Sequence, residues 1–73
     1  MNKKLLRSLM VLNDDTNNSL AEALGITPQS LSAKTNETNG AEFTQSEMNA
    51  IRNRYSLDND QFVAVFFGDL VSN

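Results

Sequence analysis

The sequence contains no cysteine and no histidine. Without cysteine the chain has no disulfide, no thiol nucleophile and no thiolate zinc site. Without histidine it lacks the commonest general base and the commonest metal ligand. Its carboxylates are scattered over predicted loops and helix caps, and neither a glycine-rich phosphate loop nor a nucleophile elbow occurs. We therefore expect no enzyme activity, no metal, no cofactor and no small-molecule substrate.

Long apolar segments are also missing. A membrane span needs about 20 consecutive apolar residues, and no segment of this sequence has them. Residues 1–12 place basic residues ahead of leucines, as signal peptides do. However, Arg7 interrupts the apolar stretch and no small-residue cleavage site follows. We expect a cytoplasmic protein with no membrane partner.

The net charge of −3 is unevenly distributed along the 73 residues. Residues 1–40 carry four acidic and four basic side chains, whereas residues 41–73 carry five acidic and two basic ones. An acidic chain is poorly suited to indiscriminate nucleic-acid binding. The neutral first half still permits a local surface that faces DNA.

Apolar residues recur at helical spacing in five short segments, which predicts a compact all-α domain. The first three predicted helices cover residues 3–12, 17–24 and 28–36. Two further helices are predicted from about residue 45 and from about residue 59. We assign a single domain to residues 1–68 and a C-terminal tail to residues 69–73.

The starts of the last two helices have the clearest sequence signals. Thr44 and Glu47 fit a capping box, in which each side chain binds the other residue's backbone N–H. Asp58 and Gln61 repeat the pattern. Thr16 is the predicted N-cap of the second helix.

Helical spacing also predicts which side chains point inward. The first helix presents an apolar stripe of Leu5, Leu6, Leu9, Met10 and Leu12. The last turn of the third helix instead carries Lys34 and Thr35 where an apolar residue is usual. We expect that turn to be frayed or poorly packed.

The connection between the second and third helices is short and sharply bent. Gly25 is predicted to end the second helix in the left-handed conformation. Thr27 is a suitable N-cap, and Pro28 stands at the first helical position, where its missing N–H is not needed. Two helices joined so closely must cross steeply, and the small Ala21 lets them approach. This pattern predicts a helix-turn-helix.

These residues resemble the Cro and repressor-type helix-turn-helix family of phages and bacteria, here in the form of a small Gram-positive phage regulator. The resemblance covers roughly residues 3–67. The matching residues are Thr16, Asn17, Leu20, Ala21, Leu24, Gly25, Ile26, Thr27, Gln29, Ser30, Leu31, Asn36, the segment 43–47, Phe66 and Phe67. It implies a compact five-helix bundle of the lambda-repressor-like type, whose third helix enters the major groove of double-stranded DNA.

Residues for DNA contact follow from the helical wheel and from the resemblance. With Leu31 inward, the outward side of the third helix carries the predicted base contacts, Gln29, Ser32, Ala33 and Asn36. Amides pair with adenine, hydroxyls donate or accept, and a methyl group contacts thymine. The predicted contacts to the DNA backbone are Asn17, Asn18, Thr27, Ser30, Lys34, Thr38 and Asn39. The alternative is an ordinary solvated helix face.

The C-terminal end is more apolar than one buried face requires. Val63, Phe67 and Leu70 form a possible dimer patch, and a two-fold homodimer would space two recognition helices about 34 Å apart. The alternative is that Phe67 and Leu70 fold back over the first helix.

The expected function is a sequence-specific DNA-binding transcriptional regulator of phage or prophage origin, a repressor or a Cro-like protein. The alternative is an acidic protein-interaction module on the same fold, antirepressor-like or a partner of a repressor or polymerase, that does not bind DNA. Asp14 and Asp15 favour the alternative, because they precede the second helix where the family approaches a phosphate.

Overall fold

The computed structural model describes residues 1–68, and within that range the chain consists of five α-helices, one short 3₁₀ turn and no strand. The α-helices are α1 (Lys3–Leu12), α2 (Asn17–Leu24), α3 (Pro28–Asn36), α4 (Gln45–Tyr55) and α5 (Asn59–Phe66). The 3₁₀ turn (Thr38–Gly40) follows α3. The expected compact all-α fold is confirmed.

The helices begin at polar side chains that accept hydrogen bonds from the free N–H groups of the first turn. Thr16 Oγ1 accepts from the Ser19 N–H at 3.1 Å, and Thr27 caps α3 in the same way. Both predicted capping boxes are present at the starts of α4 and α5. These contacts span only three residues, so they follow from the local sequence.

Three helices end in the same hydrogen-bonded turn. In each, an N–H donates to a carbonyl five residues earlier, which closes the end of the helix. The donors are Asp15 in the α1 turn, Ile26 in the α2 turn and Leu57 in the α4 turn. The residue before each donor is left-handed: Asp14 (φ 54°), Gly25 (φ 72°) and Ser56 (φ 54°).

All five helices contribute to one apolar core. Its fully buried side chains are Leu6, Leu20, Ala21, Leu31, Ile51 and Val65. Ala21 is completely buried, consistent with a close approach of two helices at that point. Burial of a leucine or isoleucine side chain contributes about 1.5–3 kcal/mol, so these contacts dominate the stability of a domain this small.

Two contacts attach other parts of the chain to α5, one through the backbone and one between aromatic rings. The Asn2 N–H donates to Val65 O at 2.7 Å, which ties the start of α1 to α5. Phe43, just before α4, packs edge-on against Phe66 with ring centroids 5.9 Å apart. The start of the chain therefore lies against α5, and the segment before α4 packs on the end of α5.

Two expectations about packing were wrong. Leu12 is 78% exposed although Leu9 and Met10 in the same turn are buried, because Leu12 lies at the edge of the buried side of α1. The last turn of α3 is not frayed, since Thr35 is buried and its hydroxyl donates to Leu31 O at 2.8 Å. A polar residue fills the apolar position there by satisfying its hydroxyl within its own helix.

Candidate nucleic-acid interface

The turn between α2 and α3 separates two distinct helices. Gly25 ends α2 in the left-handed conformation, and a Cβ atom at this position would meet no neighbouring atom within 4 Å. Glycine is therefore favoured here for its backbone angles and not for space. The Ile26 N–H donates to Ala21 O at 3.0 Å, and Ile26 packs against the core. These contacts fix the direction in which α3 leaves the turn.

The outward side of α3 is polar and partly open to solvent. Gln29 and Asn36 are exposed, whereas Ser32 and Ala33 are half-buried. Leu31 on the opposite side is completely buried. The structure thus brings the four predicted base-contact residues onto one side of one helix, with Gln29 and Asn36 the most accessible.

The start of α2 lies against the middle of α3. Asn17 Nδ2 donates to Ser32 Oγ at 3.0 Å. Asn18 is exposed beside it. A helix N-terminus attracts anions through its free N–H groups and its dipole. The Asn17–Ser32 bond therefore holds the N-terminus of α2, which is suited to binding a phosphate, next to the outward side of α3.

The start of α1 reaches the other end of α3. Lys3 Nζ donates to Asn36 Oδ1 at 3.3 Å. Lys4 and Arg7 are exposed on the same helix. No local sequence signal indicates this approach, because 33 residues separate the two partners. A cationic side chain is thereby placed beside the outward side of α3.

The other predicted backbone-contact residues lie at the two ends of α3. Thr27 is exposed, and its Oγ1 accepts from the Ser30 N–H at 3.0 Å as the N-cap. Ser30 is half-buried. Thr38 and Asn39 are exposed in the 3₁₀ turn after α3, where Asn39 is left-handed with φ 54°.

Lys34 is engaged elsewhere. Its Nζ donates to both carboxylate oxygens of Glu47 on α4, each at 2.7 Å, and its side chain is 19% exposed. Burial alone would raise the pKa of Glu47, but hydrogen bonds from Lys34 and from the Thr44 N–H outweigh it and lower that pKa. Lys34 therefore joins α3 to α4 and does not add a free charge to the outward side.

Asp15 is the acidic residue that most affects the electrostatics of this surface. Arg54 Nε donates to Asp15 Oδ2 at 2.6 Å, Arg54 Nη2 donates to Oδ1 at 2.9 Å, and the Tyr55 hydroxyl donates to Oδ2 at 2.6 Å. The Asp15 side chain is only 3% exposed. Its negative charge is thus compensated at the entrance to α2, and only Asp14 remains exposed there.

The pKa values of this cluster reflect the pairing. Hydrogen bonds from Arg54 lower the pKa of Asp15 to about 2, against the opposing effect of burial and with help from Tyr55. Hydrogen bonding to Asp15 raises the pKa of Arg54. Burial, together with the bond to Asp15, raises the pKa of the Tyr55 hydroxyl. At neutral pH, therefore, Asp15 and Arg54 are both charged and the Tyr55 hydroxyl is protonated.

The remaining acidic residues near α3 also have positive neighbours. Glu22 lines a shallow depression with Ser19, Ala23 and Arg54. Glu37, which caps the end of α3, accepts from the Met1 ammonium group at 2.9 Å.

Two apolar areas are exposed among residues 1–68. Val63 and Phe67 of the predicted dimer patch are 37% and 38% exposed, and Leu70 lies outside the described residues. Phe67 also borders an open groove of about 360 Å³. Val11 and Leu12, at the end of α1, are 74% and 78% exposed. The second area was missed because helical spacing indicated that Leu12 points inward.

No family model, no curated protein and no solved structure matches this chain. Among residues 1–68, none of the helices combines the length and the apolar character needed to cross a bilayer.

Proposed function

We propose that this protein is a sequence-specific DNA-binding transcriptional regulator, a repressor or Cro-like protein of phage or prophage origin acting in the cytoplasm. In this proposal the fold is of the lambda-repressor-like type, and α3 enters the major groove of double-stranded DNA. The N-terminus of α2 then faces a phosphate.

One observation carries the proposal: the bond from Asn17 to Ser32 joins the start of α2 to the outward side of α3. A recognition helix needs base-contacting side chains and a phosphate anchor in fixed relative positions. Gln29 and Asn36 extend from the same side. The segment 25–36 contains no acidic residue, although the chain has nine.

The electrostatics of the surrounding residues support the same proposal. Lys3 adds a positive charge beside Asn36, and Arg54 compensates the carboxylate of Asp15 near the start of α2. The overall charge of −3 then disfavours non-specific binding, so affinity depends on a fitting site.

The proposal extends to a homodimer formed through Val63 and Phe67, whose side chains are partly exposed on α5 and just after it. Two copies related by a two-fold axis would contact half-sites about 34 Å apart. Sedimentation at increasing concentration tests this point, and a monomer at all concentrations up to those of the DNA-binding assays would exclude it.

The main test is selection of preferred duplexes from a random pool, followed by fluorescence anisotropy at several salt concentrations. We expect a recurrent motif and an affinity that falls with salt. Gln29→Ala should reduce discrimination between bases by about 1–3 kcal/mol. Gln45→Ala is the matched control, because Gln45 is exposed at the start of α4. No selected motif, or equal effects of both variants, would contradict the proposal.

A second candidate is a protein-interaction module, antirepressor-like or a partner of a repressor or polymerase. The exposed Val11 and Leu12 next to Asp14 favour it, since adjacent exposed apolar side chains are typical of contact surfaces. In that case no duplex would bind at low salt, whereas Val11→Ser with Leu12→Ser would abolish the regulatory effect in cells.

A further inference from the structure

Resting on the proposed DNA binding, we infer that Ser32 and Asn36 present hydrogen-bond donors to the major groove. They therefore select acceptor atoms, namely guanine O6, purine N7 and thymine O4, and disfavour the amino group of cytosine. Adenine recognition, which needs a donor and an acceptor on one amide, is assigned to Gln29.

The polarity of Asn36 is set by Lys3. An ammonium group has three donors and no acceptor, so only the amide oxygen of Asn36 can receive its bond. The distance from Nζ to Oδ1 is 3.3 Å. The amide oxygen is thus turned towards Lys3, and the NH₂ group is left to donate. The adjacent positive charge further favours an acceptor atom on the base.

The polarity of Ser32 is set by Asn17. Asn17 Nδ2 donates to Ser32 Oγ at 3.0 Å, so the hydroxyl oxygen acts as the acceptor in that bond. Its proton then points away from Asn17 and is available to donate. Turning the hydroxyl proton towards Asn17 would break this bond, so the bond itself holds the direction in which Ser32 donates.

Carboxylates are the side chains that accept from the cytosine amino group. Glu47 is bound to Lys34 and Glu37 to the Met1 ammonium group. The segment 25–36 has none. The neighbourhood of Ser32 and Asn36 therefore offers positive charge and N–H or O–H groups to the DNA, which is the opposite of what cytosine requires.

The experiment starts from the duplex selected by the wild-type protein. Each purine in it is replaced in turn by its 7-deaza analogue, which removes only the N7 acceptor. We expect about a tenfold loss of affinity at one or more positions, the size of one base contact. No loss at any purine, together with free acceptance of cytosine at every guanine and thymine of the motif, would overturn the inference.

Lys3→Met tests the role of Lys3 directly. It releases the Asn36 amide oxygen, and we expect the selected base at one position to change from guanine or thymine to adenine. Lys4→Met is the matched control, because Lys4 is the exposed neighbour with the same charge. It should weaken binding to all duplexes equally. An unchanged motif with Lys3→Met, or the same change with both variants, would overturn the inference.

Asn17→Asp tests the second pair in the same way. An aspartate at position 17 accepts from Ser32, so the hydroxyl no longer donates to the base and selectivity at that base is lost. Asn18→Asp adds the same charge one residue away and should lower affinity without changing the motif. If Asn17→Asp and Asn18→Asp select the same DNA motif, the role of Ser32 is contradicted. Absence of any motif from the wild-type protein would instead contradict the proposed function itself.

Discussion

Acidification should weaken the fold at one identifiable carboxylate, that of Asp15. This carboxylate receives three hydrogen bonds, two from Arg54 and one from the Tyr55 hydroxyl. They connect the α1–α2 turn to the end of α4, 39 residues further along the chain. Protonation of Asp15 removes the ionic character of this connection, and the free energy of unfolding falls accordingly.

The magnitude follows from the pKa. The pKa of Asp15 is lowered from 3.8 to about 2 in the folded protein, and each unit corresponds to about 1.4 kcal/mol. The stabilisation of about 2 kcal/mol is fully present above the unfolded-state pKa of 3.8 and is lost as the pH falls through about 2. The loss should thus occur between about pH 5 and pH 2.

The assay is urea unfolding of the wild-type protein and of Asp15→Asn, followed by circular dichroism from neutral to acidic pH. Asp15→Asn keeps the shape of the side chain but cannot titrate. The difference in free energy of unfolding between the two proteins should therefore shrink by about 2 kcal/mol between about pH 5 and pH 2. The contributions of other carboxylates, including Glu47, to the pH dependence cancel in this difference, because both proteins contain them.

Asp14→Asn is the matched control. Asp14 is exposed and left-handed, with φ 54°, a conformation that asparagine tolerates well. This variant removes the neighbouring negative charge but leaves the hydrogen bonds from Arg54 and Tyr55 to Asp15 in place. A pH-independent difference for Asp15→Asn, or the same pH dependence for both variants, would refute the assignment of the acid-sensitive contact to Asp15.

Three further predictions concern stability and use the same unfolding assay. Gly25→Ala and Gly40→Ala should each lower the free energy of unfolding by about 1–2 kcal/mol, because both glycines are left-handed in open space; neutral variants would show that the backbone relaxes. Thr44→Ala should cost about 1 kcal/mol through loss of the capping box at α4, and Thr44→Ser should restore most of it. Lys34→Met should cost about 2 kcal/mol, because Glu47 is left partly buried without its cation; a neutral result would mean that water replaces the pair.

Local features of this fold are predictable from sequence. Thr16, Thr44 and Asp58 cap their helices because the bonds join residues three apart, so the signal lies within a few letters of sequence. The left-handed Gly25 is equally local. The all-α class follows from the spacing of apolar residues in the same way.

Tertiary contacts between polar residues are not predictable in this manner. Lys3–Asn36, Lys34–Glu47 and Asp15–Arg54 join residues 13 to 39 positions apart. A charge pattern along the chain does not indicate which partners the fold brings together. The acidic pair at positions 14 and 15 therefore indicated a repulsive surface, whereas one of the two charges is neutralised.

Leu12 illustrates a different limit. Helical spacing correctly groups side chains on one side of a helix, but it does not indicate how much of that side another element covers. Leu9 and Met10 in the last turn of α1 are buried, whereas Leu12, at the edge of the same apolar side, is exposed.

The helix ends at Asp14, Gly25 and Ser56 share one backbone conformation, but only the turn before α3 uses glycine for it. The other two positions retain a side chain at a conformational cost of about 1 kcal/mol each. Glycine at position 14 or 56 would remove that cost without touching Gln29, Ser32 or Asn36. Heat resistance and target preference can therefore be varied independently in this chain, by evolution or by engineering, because they depend on separate positions.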